Sequence, residues 1–111
     1  MAAADSIAAM KPIIDRAEVS IDYPDKAFMG AFGRRAGFEV SADAEGVTIK
    51  LASREGEKRE VQMHLHYYLL ADVLEAMAEA MRGRLAGDPH LPALCEAAGA
   101  LRDALAAVER G

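Results

Sequence analysis

A chain of 111 residues has the length of one ordinary domain, and the expected unit is 1–111 around a single core. Its 18 acids against 13 bases leave a net charge of −5, which argues against nucleic acid as a partner, because sequence-independent binding needs a concentrated positive surface. The one cysteine excludes an intramolecular disulfide and suits a reducing, cytoplasmic compartment, and no apolar run approaches the ~18 residues of a membrane span.

Residues 1–10 lack a positive leader, so no signal peptide is expected there. Residues 1–12 carry the marks of one short helix, with Asp5 or Ser6 as cap and Pro12 as stop. Val19, Ile21 and Tyr23 then alternate with Glu18, Ser20 and Asp22, a strand pattern over 17–23 that ends at Pro24-Asp25. Over 25–37, Phe28, Met29 and Phe32 share a helix face, whereas Gly30, Gly33 and Gly37 each weaken a helix by about 1 kcal/mol. The spacing predicts a short helix followed by a glycine-rich turn.

Three strands follow in a row, carrying Phe38, Val40 and Ala42, then Val47, Ile49 and Leu51, then Val61, Met63 and Leu65. Their connections, 43–46 and 53–58, are polar and hold a glycine each, as hairpin loops do. The opposite face would carry Glu39, Ser41, Asp43, Thr48, Lys50, Glu60, Gln62, His64 and His66, polar enough to meet water. At His66 the hydrophobic period changes from two to 3.6, and Leu70, Val73, Leu74, Met77 and Met81 form one stripe of an amphipathic helix. Gly83 and Gly87 bracket a linker, Asp88-Pro89 or Pro92 opens a second helix, and Leu94, Ala98, Leu101, Leu105 and Val108 make a heptad seam along it. The expected fold is α+β: an antiparallel β-meander of three or four strands with one face covered by a C-terminal helical hairpin. A 1–16 segment precedes strands within 17–66, and the hairpin occupies 67–111. Met63, Leu65, Leu74, Met77 and Leu101 would face one another in the core.

Two constellations carry candidate chemistry. His64 and His66 are two apart on a strand, so their imidazoles share a face with Glu60 and could chelate a divalent transition metal. Two imidazoles alone do not make a metal centre, and no third ligand has a diagnostic spacing. In the second, Gly33, Arg34 and Arg35 form a glycine turn beside two guanidinium forks, a pairing that suits a phosphate or carboxylate. Its spacing fits neither the phosphate-binding loop nor the dinucleotide fingerprint. Cys95 has no histidine placed by sequence to activate it, and the carboxylates of the helices sit on wet faces.

With no reaction centre in view, the expectation is a non-enzymatic interaction or assembly protein without a cofactor. It would act as a homodimer or as the small partner of a larger protein, and neither a membrane nor nucleic acid is an expected partner. Its heptad seam and open sheet edges are the adhesive features. The rival expectation is a ligand-binding protein, for a metal at His64 and His66 or an anion at Arg34 and Arg35.

Overall fold

The computed structural model describes residues 10–53 and 59–110. The chain divides into two compact units, Met1–Ala71 and Asp72–Gly111. The first holds two antiparallel sheets, and the whole is α+β with a meander at its centre.

The larger sheet has the order β1-β4-β5-β6, with β1 at Lys11–Pro12, β4 at Ala36–Ala42, β5 at Gly46–Ser53 and β6 at Arg59–His66. The period-two alternation sets its register. Phe38, Leu51 and Val61 lie in one cross-strand row, Val40, Ile49 and Met63 in the next, and Ala42, Val47 and Leu65 in the third. These rows form the apolar face, and the intervening rows, such as Ser41, Thr48 and His64, form the polar one. The smaller sheet is a hairpin of β2 (Ala17–Tyr23) and β3 (Lys26–Phe32), paired from Ala17↔Phe32 to Tyr23↔Lys26 around Pro24-Asp25.

Two expectations for the first unit change. The segment after Pro24 is a strand rather than a short helix. Its glycines disfavour a helix, and β2 supplies an equally long partner across a two-residue turn, so extended pairing wins. Lys11–Pro12, expected to end a helix, is instead an edge strand on β4, where a proline at the edge costs no ladder bond. The rest of that expected helix, 1–9, lies outside the described residues.

Buried apolar side chains are few among the described residues. They are Met10 just before β1, Phe32 at the end of β3, Ala36 at the start of β4 and Ala52 near the end of β5. Small residues at Ala36, Gly37 and Ala52 let these backbones close up.

Helix α1 (Tyr67–Met81) follows β6 without a loop, the boundary between the units falling within it, and α2 spans Leu91–Arg110. Gly83 and Gly87, at φ of 75° and 74°, occupy the left-handed region that ends helices and turns the chain. Asp88 prepares the start of α2: its Oδ1 accepts the His90 N–H at 2.8 Å, and its carbonyl accepts that of Leu91 at 3.1 Å. Pro92 then falls in the first turn, where its missing N–H is not needed. No residue of α1 is buried. Leu74, Met77 and Leu101 of the helical unit are exposed, and so is Met63 of the strand unit. No helix among the described residues is long and apolar enough to cross a membrane.

Candidate functional site

On the polar face of the larger sheet, the β4–β5 turn brings Asp43 to the histidine pair. Asp43 opens this turn: its Oδ1 accepts the N–H groups of Glu45 at 2.8 Å and Gly46 at 2.9 Å, and its own N–H donates to the Gly46 carbonyl at 2.9 Å. Opposite Gly46 stands His66. A Cβ at position 46 would collide with the Leu65 carbonyl oxygen and lie 2.9 Å from the His66 Cα, so only glycine admits this approach. The other carboxylate oxygen of Asp43, Oδ2, then lies 3.5 Å from His64 Nε2. The His64 and His66 rings meet edge to face, with centroids 5.0 Å apart, and the Tyr67 hydroxyl donates to the Asp43 carbonyl at 2.6 Å. The N–H groups of Glu45 and then Gly46, with a smaller contribution from His64, hold the Asp43 carboxyl below its ordinary range.

Glu60 shares this face but stands four residues, about 13 Å, along β6 from His64, and its Oε2 lies 3.9 Å from Lys50 Nζ. The structure thus brings His64, His66 and Asp43 together and leaves Glu60 apart. Among the described residues no three histidine, cysteine, aspartate or glutamate side chains converge as metal ligands would. The arrangement is a carboxylate fixed by backbone N–H groups and turned toward an imidazole, which orients the ring. Alternation alone puts Asp43 on the polar face with the histidines, and the hairpin turn is what brings it within reach of His64. The available signal was the Asp-Ala-Glu-Gly loop itself, whose aspartate binds the backbone two and three residues on.

Gly33, Arg34 and Arg35 form the turn between β3 and β4, closed by the Ala36 N–H donating to the Gly33 carbonyl at 2.9 Å. They border a small concavity of about 160 Å³ together with Ser53 and Arg59, two residues that sequence spacing did not connect with them. Register makes the connection: Ala36 pairs with Ser53, and Ser53 pairs with Arg59.

The helical unit presents a third surface. Leu74, Met77 and Met81 of α1 face Leu91, Leu94 and Leu101 of α2 across an open apolar groove of about 700 Å³, with Cys95 also on its wall. A second concavity of about 680 Å³ continues along the C-terminal half of α2, past Leu101, Leu105 and Val108, with Arg102 and Glu109 at its sides. Exposure rises along the seam from 43% at Leu94 through 58% at Leu105 to 78% at Val108. No family model, curated protein or solved structure matches this chain.

Proposed function

We propose that this protein is a non-enzymatic assembly module that associates with a second copy of itself through the apolar face of its helical unit. The observation that carries the reading is the uncovered seam of α2. Leu94, Leu101, Leu105 and Val108 recur at heptad spacing along one side of a 20-residue helix, and all four are exposed. Such a stripe in water favours association, because its burial removes contiguous apolar surface from solvent.

Length and charge favour a second copy as the occupant. At 1.5 Å per residue α2 is about 30 Å long and α1 about 22 Å, so the shorter helix cannot match the whole seam. Arg102 and Glu109 lie one heptad apart on the same flank of the exposed half. About a two-fold axis each would face the other's counterpart, so one residue pair is satisfied twice.

Sedimentation equilibrium of the wild type and of Leu105→Asp tests this. The wild type should give a concentration-dependent mass approaching twice 11.9 kDa, and the variant should remain a single chain. A strictly monomeric wild type at high micromolar concentration would refute self-association.

A further inference from the structure

We propose that the concavity beneath the β3–β4 turn is a binding site for a phosphate-type oxoanion, gripped by Arg34, Arg35 and Arg59. It lies in the strand unit and does not depend on self-association. Three arginines from two distant stretches of an acidic chain border one space of about 160 Å³. The sheet enforces this meeting. The row Ala36, Ser53, Arg59 ties the start of β4 to the start of β6, and the arginine-bearing turn immediately precedes Ala36.

Two features prepare the site. The Arg59 guanidinium lies 5.9 Å from the centroid of the Phe32 ring, and that ring belongs to a side chain only 4% exposed, so the cation rests on a fixed platform. The Ala36 to Gly33 hydrogen bond tightens the turn that presents Arg34 and Arg35. Neither Arg34 nor Arg59 has a carboxylate partner among the described residues. Bringing the like charges of Arg34 and Arg59 to one space costs free energy that an anion with several oxygens would recover, and guanidinium forks suit such an anion because each can bind two oxygens at once. Size narrows the class further. The space equals roughly five water volumes and falls below the ~300 Å³ where pockets for larger organic ligands begin. It accommodates a phosphate, or the phosphate end of a larger molecule, while a base or sugar would remain outside.

The test is a titration of the full chain with inorganic phosphate at constant ionic strength, followed through backbone amide resonances. A parallel titration with O-phosphoserine reports whether the phosphate is preferred free or carried on an organic group. Saturable shifts are expected at Gly33, Arg34, Arg35, Ala36 and Ser53. Arg34→Gln and Arg59→Gln should each weaken binding at least tenfold, Arg34→Lys should weaken it less, and Arg16→Gln should leave it unchanged, since Arg16 pairs with Glu18. Spectra of the variants away from the turn should superimpose on the wild type, which separates lost binding from lost structure. Shifts that fail to saturate, that chloride reproduces, or that survive both glutamine variants would overturn the proposal.

Discussion

Gly46 is the residue at which one added methyl group should be felt most. Its neighbour across the ladder leaves no room for a Cβ, so Gly46→Ala must push β6 away and disturb the His64 to Asp43 approach. A loss of about 1–3 kcal/mol in denaturant melts is expected from the overpacking alone. Gly99 provides the contrast: it lies inside α2 with open space around it, and Gly99→Ala should stabilise the helix by about 0.5–1 kcal/mol. Equal effects at the two glycines would show that β5 and β6 are spaced differently. Asp43 supplies a pH-dependent counterpart. Its carboxyl is held below the ordinary range in the folded chain, so its stabilisation is present above the unfolded value and disappears as pH falls through the lowered folded one. Amide resonances of Glu45 and Gly46 should therefore shift below about pH 4. Asp43→Asn, which keeps a side-chain oxygen but cannot ionise, should remove that transition.

Among the elements, β4, β5 and β6 were legible because strict alternation over seven or eight residues leaves one way to bury a face. The switch at His66 was equally plain, since Leu70, Val73, Leu74 and Met77 cannot share a face at period two. β3 was obscured because Phe28, Met29 and Phe32 satisfy a helical template, and only pairing with β2 decides between the two readings. β1, two residues long, carries no periodicity at all. The sites follow the same division. Residues adjacent in sequence, His64 with His66 and Arg34 with Arg35, could be singled out, whereas Asp43 and Arg59 join them only through hairpin register. For the strand-face histidines, Zn²⁺ titration by calorimetry should show binding no tighter than micromolar, with the His64→Ala, His66→Ala double variant behaving alike. Two rings without a converging third ligand hold a metal weakly. Tight, stoichiometric and histidine-dependent binding would mean that Asp43 completes a metal site.

At the scale of the whole molecule, the proposed self-association would tie stability to concentration. Leu74 and Leu101 are exposed in the single chain, so truncating either should cost little there, in contrast with the ~2–5 kcal/mol of a buried leucine. If association covers them, the same truncations should become costly as protein concentration rises, because whatever binds only the folded chain stabilises it by mass action. Thermal midpoints of Leu101→Ala and wild type, measured across a hundredfold range of concentration, should therefore diverge toward the concentrated end. Parallel curves would mean that Leu101 contributes nothing to association. Both outcomes leave the strand unit's own stability to Phe32, Ala36 and Ala52.

The wall of the helical groove also carries a chemical clock. Cys95 is the chain's single thiol, it is exposed, and it lies among the leucines that a second copy would cover. Alkylation by a small maleimide should be fast in dilute protein and slow as concentration rises, with half-protection at the dissociation constant for self-association. Because no other sulfhydryl competes, the unmodified native sequence would report the proposed assembly directly, and Leu105→Asp should hold the labelling rate at its dilute value throughout.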